Sequence, residues 1–237
     1  MRHLLVLLLA AFTAFPAHAA GPEATPRFSA VVAQRYAGTL KILATKLPED
    51  FKALTAQIDL IEKGGELDSA KHARTAGLVA DLRKKYRYKI PYASEETQAA
   101  LISQLANFFE TVLTREGPMA CSQFAINGTT VLVQNGVAAE YAALIDTQSA
   151  LYFTAVASAF EKSDFHGEAG RADWKTVLDA MVSAGAPEEF VRVLGTVDPK
   201  EPARCPAMSV MFRTAANMDG APAEKVRSNL AQNASGY

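Results

Sequence analysis

Histidine is scarce in this chain. Of its four histidines, His3 and His18 fall within the first nineteen residues, so only His72 and His166 are left to do chemistry in the rest. A site with several histidine ligands would have to recruit both from distant segments. No HExxH, no paired CxxC and no CxxCH is present, which removes the common zinc and haem signatures. The GxSxG nucleophile turn, the Walker phosphate loop and the GxGxxG fingerprint are missing too. The usual grounds for assigning an enzyme are therefore absent, and no cofactor is expected.

Charge of one sign is also lacking. With 24 Lys and Arg against 25 Asp and Glu, the chain is close to balanced. Nucleic-acid binders depend on neutralising phosphates, so a dedicated nucleic-acid partner is not expected. Beyond residue 19 there is no second long uncharged apolar run. The best candidate, residues 142–160, is interrupted by Asp146 and Gln148. A charge near the middle of a span costs about 2.5–3.5 kcal/mol on insertion scales, which favours a buried helix over a transmembrane anchor.

Against these absences stands one strong signal at the N-terminus. Arg2 and His3 precede an apolar run from Leu4 to Phe15, and Ala17-His18-Ala19 supplies the small-x-small pattern of a signal peptidase site. The run is too short for a permanent anchor. Residues 1–19 read as a secretory signal cut after Ala19, residues 20–26 as a flexible leader, and 27–232 as one helical domain, with 233–237 fraying. The expected location is the periplasm or the exterior.

Two cysteines remain for that oxidising setting, Cys121 and Cys205, and an even pair in an exported chain reads as one disulfide. Their separation is too great for a CxxC redox motif.

The hydrophobic period is helical almost throughout, so the expected fold is an all-α bundle of about eight helices. Phe51, Leu54, Ile58 and Ile61 repeat at core spacing behind Pro48, and Gly64-Gly65 stops that helix. Ser94 reads as an N-cap for a helix carrying Leu101, Leu105, Phe108 and Val112, closed by Gly117-Pro118. The segment 119–136 supports two readings. Asn127-Gly128 between apolar triplets is a hairpin signal, giving one short β-hairpin near 121–133; yet Cys121, Phe124, Ala125 and Leu132 also share a helical face. Residues 137–162 read as the longest and most apolar helix. Asp173 is expected to cap the helix of Trp174, Val177 and Met181.

Three sets of residues carry candidate chemistry. Polar groups inside the apolar helix, Asp146, Gln148 and Tyr152 with Tyr141 upstream, could fix a ligand in a pocket along 137–162, or could bond neighbouring helices. The run from Arg83 to Tyr92 alternates cations and rings (Lys84, Lys85, Tyr86, Arg87, Tyr88, Lys89, Tyr92) and suits an acidic or envelope partner, or simply ends a helix. Asp164, His166 and Glu168 alternate in a glycine-containing loop and could gather a divalent ion for a hydrolase, or be solvated. His72 reads as the partner of Asp68 in a surface ion pair. The leading functional expectation is a non-enzymatic exported protein that binds a protein or envelope component; the alternatives are a small-molecule or lipid binder and a metal-dependent hydrolase.

The signal reading has a direct check. Intact-mass analysis of the secreted or periplasmic protein should find a chain that begins at Ala20; a full-length mass from the same fraction would contradict it.

Overall fold

The computed structural model describes residues 27–134, 138–161, 164–196, 198 and 200–237. The expected signal and leader lie outside them. The described residues form eleven α-helices joined by short turns and 3-10 segments, with no strand among them. The all-α class is as expected, and no described helix is long and apolar enough to cross a membrane.

The extra helices come from breaks that periodicity passes over. The first apolar stripe is split at Tyr36 (φ −115°, ψ 30°) into α1 (Phe28–Arg35) and α2 (Ala37–Lys46). Pro48 then opens α3 (Pro48–Lys63), with Glu49 and Asp50 favourably placed at its positive end. It buries Leu54, Ile58 and Ile61. α4 (Asp68–Tyr86) runs into a 3-10 segment, Arg87–Tyr92, where Pro91 denies the α-helical ladder a donor.

α5 (Glu95–Asn127) is the longest helix and the centre of the molecule, with α7, α10 and α11 packed on it. The Ser94 hydroxyl accepts from the Thr97 amide, as the cap reading expected. Gly117-Pro118 kinks this helix instead of ending it: Gly117 takes φ 82°, and the chain resumes helix on the far side. The hairpin reading of 121–133 is thereby corrected. Cys121, Phe124 and Ala125 are buried on one face of α5, and Gly128 (φ 61°) stops the helix instead of turning a hairpin. The burial of a whole aromatic face outweighs the local Asn-Gly turn preference.

A short α6 (Thr130–Gln134) and a 3-10 turn, Ala138–Tyr141, lead to α7 (Ala142–Glu161). The remaining helices are α8 (Arg171–Ser183), α9 (Glu188–Leu194), α10 (Arg204–Asn217) and α11 (Ala221–Asn233). Asp173 does not itself cap α8. The cap is Gly170, and the Asp173 carboxylate accepts its amide at 2.8 Å from one turn inside.

The densest packing joins α5 to α10, and it holds the two cysteines. Cys121 and Cys205 are fully buried at disulfide distance, with their Cα atoms 5.5 Å apart. Around them Phe109 meets Phe124, Phe212 and Tyr237 at centroid distances of 5.0, 5.3 and 5.5 Å.

Tyr237 overturns the expectation of a frayed end. Residues 234–236 form a 3-10 turn in which Ala234 and Ser235 are buried. The Tyr237 hydroxyl donates to the Ala125 carbonyl at 2.7 Å, and burial raises this phenol to about 12. Gly128 is needed for this closure. A Cβ there would sit 2.1 Å from the Gly236 carbonyl oxygen, and the backbone already has a positive φ.

Tying residues 84 positions apart removes chain entropy worth about 4–5 kcal/mol from the unfolded state. The double variant Cys121→Ala/Cys205→Ala should therefore lose about that much unfolding free energy in urea titration, and a loss below about 1 kcal/mol would show the bridge to be dispensable.

Candidate functional site

One face of α4 is lined with small side chains. Ser69, Ala73, Ala76 and Ala80 recur at three- and four-residue spacing, followed by Arg83, and α7 presents Ala142, Ile145 and Ser149 opposite. Too little side-chain volume fills the space between the helices, and a cavity of about 290 Å³ remains. Tyr36, His72 and Val79 complete much of its wall, and Thr129, Val133 and Ala138 close it from the α5–α7 connection.

The cavity is mostly apolar but has a charged floor. Arg83 is only 4 % exposed. One Nη of its guanidinium donates to the Tyr237 main-chain oxygen, and its own carbonyl accepts the Tyr152 hydroxyl at 2.9 Å. No Asp or Glu carboxylate of the described residues pairs with it. Burial pulls this guanidinium down to about 10, with Tyr152 and Tyr36 acting against that, so it stays a cation at neutral pH.

Its Nε and the Ser149 hydroxyl are buried without a hydrogen-bond partner among the described residues. Each such group costs about 1–3 kcal/mol while unmet. Burial also raises Tyr36 above the ordinary tyrosine range, with Arg35 and Arg83 opposing. At His72 burial, helped by Arg35, lowers the imidazole and so favours its neutral form.

A larger depression of about 470 Å³ lies between α1, α2 and α3, walled by Val32, Leu40, Phe51 and Ile58. None of the buried unpartnered polar atoms lines it. The α4–α7 cavity is the better candidate because only there do unmet donors and space coincide.

The polar residues singled out in the apolar helix have other employment. Asp146 reaches back to the break at Tyr36: its carboxylate accepts the amides of Gly38 and Thr39, each at 2.8 Å, and the Thr39 hydroxyl at 2.7 Å. Amides at the start of α2 have no partner within their own helix, and Asp146 caps them from a distance. Tyr141 donates to Glu116 at 2.8 Å, which together with burial raises its phenol. Gln148 is fully buried and both its amide atoms lack partners; no physical account of it emerges from its neighbours. None of these residues, nor Tyr152, lines the cavity. Ser149 does, and it was not among the expected site residues.

The basic run makes local contacts while Lys84, Lys85, Arg87 and Tyr88 stay exposed. Lys84 pairs with Asp81, Lys85 with Asp50 at 2.6 Å, and the Tyr86 hydroxyl also goes to Asp50. Arg87 donates to Asn233 at 2.6 Å. Lys89 lies over the Tyr88 and Phe160 rings, and Tyr92 tilts against Phe165 at 5.2 Å.

The acidic loop does not gather around its histidine: Asp164 and Glu168 are exposed, and neither shares in the group of ligand atoms at His166. His166 is instead near Glu95 and Glu224. His72 tilts against Phe28 at 5.0 Å, while Asp68 goes to Lys71.

Sequence reasoning missed the α4 stripe, although Ser69-x₃-Ala73-x₂-Ala76-x₃-Ala80-x₂-Arg83 was visible as small residues at helical spacing ending on a cation.

If Asp146 is a cap and not a ligand contact, Asp146→Ala should destabilise the fold by about 2 kcal/mol in urea titration, with Asp146→Asn recovering part of it. Unchanged stability would remove the cap assignment. Comparison with family models, with curated proteins and with solved structures finds no match to this chain.

Proposed function

We propose that this is an exported, non-enzymatic binding protein, and that its binding site is the cavity between α4 and α7. The observation that carries the proposal is the coincidence of space with unmet polar groups: the Arg83 Nε and Ser149 hydroxyl are buried beside about 290 Å³ of apolar-walled volume. A guest that offers an acceptor to these two donors would relieve their desolvation while its body displaces water from alanine and valine surface.

The ligand class follows from the wall. The volume lies at the small end of ligand pockets, which run from about 300 to 1,000 Å³, so the guest is a small amphipathic molecule. Its head carries a carboxylate, phosphate or carbonyl oxygen toward Arg83. Its body is slim and apolar, matched to Ala73, Ala76, Ala80 and Ile145.

Catalysis is not part of the proposal, because the Ser149 hydroxyl bonds to no base that could activate it. Export rests on the N-terminal signal pattern and on a cysteine pair suited to an oxidising compartment.

A melting screen against short-chain carboxylates, organic phosphates and neutral amphiphiles tests the site. A true ligand at a hundred times its Kd should raise Tm by roughly 5–10 °C. Ala76→Phe, which fills the cavity, should abolish that shift while leaving the far-ultraviolet circular dichroism unchanged. A ligand whose shift survives Ala76→Phe binds elsewhere, and the proposal fails.

A further inference from the structure

A second group of chemically capable side chains, none of them lining the cavity, lies where three segments distant in sequence meet. Glu95 is the first residue of α5, Glu224 lies in the first turn of α11, and His166 sits in the extended segment before α8. One ring nitrogen of His166 and one carboxylate oxygen from each glutamate lie within 4.8 Å of one another. We propose that Glu95, His166 and Glu224 form a binding site for a divalent transition-metal ion, with zinc as the fitting member of that class.

The imidazole is held ready for the role. The His166 amide donates to the Pro91 carbonyl at 3.2 Å, and Nε2 lies 2.7 Å from the Ala93 carbonyl oxygen. A carbonyl can only accept, so Nε2 is the donor there and Nδ1 is the ring nitrogen left to face a metal. Metal-bound imidazoles are oriented in this way, with the far nitrogen donating to a carbonyl or carboxylate.

The two carboxylates converge on the same histidine without closing on it. Neither glutamate hydrogen-bonds to His166, which leaves a gap between the three ligand atoms. Bonds of about 2.0–2.2 Å from a central ion would bridge such a gap after small side-chain rotations.

Ligand type selects the metal. A nitrogen donor with two carboxylates suits zinc and its neighbours, whereas calcium and magnesium prefer all-oxygen shells. The paired cysteines offer no competing thiolate.

The cations around the site have commitments of their own. Lys225 faces Asp173 at 3.5 Å. Arg227 approaches one oxygen of Glu95 at 3.7 Å, but its guanidinium is fixed by the carbonyls of Ala215 and Met218 at 3.0 and 2.7 Å. Three protein ligands leave coordination positions for water. A bound ion would pin the starts of α5 and α11 to the segment before α8.

Zinc titration of the tag-free, chelator-stripped mature protein, followed by competition with a chromophoric chelator, tests this site. One ion per chain is expected, with a rise in Tm on loading. His166→Ala should abolish uptake, and Glu224→Gln, a surface change that keeps the fold, should weaken it at least about 10-fold. Asp164→Asn and Glu168→Gln should bind zinc as the unaltered protein does. No uptake by the unaltered protein overturns the proposal. So does uptake that survives both His166→Ala and Glu224→Gln, or that is lost in Asp164→Asn.

Discussion

Burying a guanidinium is the constraint around which this fold is arranged. Arg83 is inside the molecule, cannot shed its charge at neutral pH, and has no Asp or Glu partner among the described residues. Main-chain oxygen must therefore satisfy it, and that requirement places the C-terminal segment: the Tyr237 oxygen accepts from Arg83 while the Tyr237 ring packs on Phe109 and Phe124. The same residue ties α4 to α7, because its carbonyl accepts the Tyr152 hydroxyl. One buried cation thus links the middle of the chain to its last residues, and one of its nitrogens still lacks a partner.

The space beside that nitrogen has an equally local cause. Helices of ordinary composition fill the groove between them with leucine and isoleucine, at close-packed density. Here α4 offers alanine and serine along the facing stripe and α7 answers with Ala142 and Ser149. A void lined only by apolar groups would be expected to stay dry or collapse. This one is lined in part by polar groups that desolvation penalises, so occupation lowers its free energy in a way that collapse does not. The densest packing is that of α10 on α5, where the cysteine pair and the phenylalanine cluster lie, and Tyr237 joins it to Arg83. The cavity wall is therefore carried by a well-packed scaffold.

Much of the fold could be read from the residues, and the failures have identifiable causes. Helical class, the Pro48 start, the Ser94 cap and the cysteine pairing follow from local chemistry: periodicity, a fixed φ, a short hydroxyl and an even thiol count. Asn127-Gly128 misled because its hairpin preference is local, whereas the burial of Cys121 and Phe124 against α10 and Tyr237 is tertiary. The C-terminal residues misled in the same way, since nothing near them in sequence announces that Arg83 needs an acceptor. Asp146 was legible as a polar residue demanding partners, but its partners are amides exposed by a break at Tyr36, more than a hundred residues earlier. At the site, the α4 stripe is built of small residues, which leave no mark in a periodicity carried by large apolar side chains. His166 was singled out with Asp164 and Glu168, but the carboxylates within 4.8 Å of it are Glu95 and Glu224, from two helix starts and not from its own loop.

The central claim is that Arg83 and Ser149, each with a buried donor that lacks a partner among the described residues, belong to the wall of a space that a ligand fills. A crystal structure of the protein purified without denaturation from its native host tests this most directly. The account predicts electron density for a small organic molecule in the α4–α7 cavity, with an oxygen within hydrogen-bond distance of the Arg83 Nε or the Ser149 hydroxyl. A cavity closed by inward-turned side chains, or one holding a single water that satisfies both donors, would contradict it.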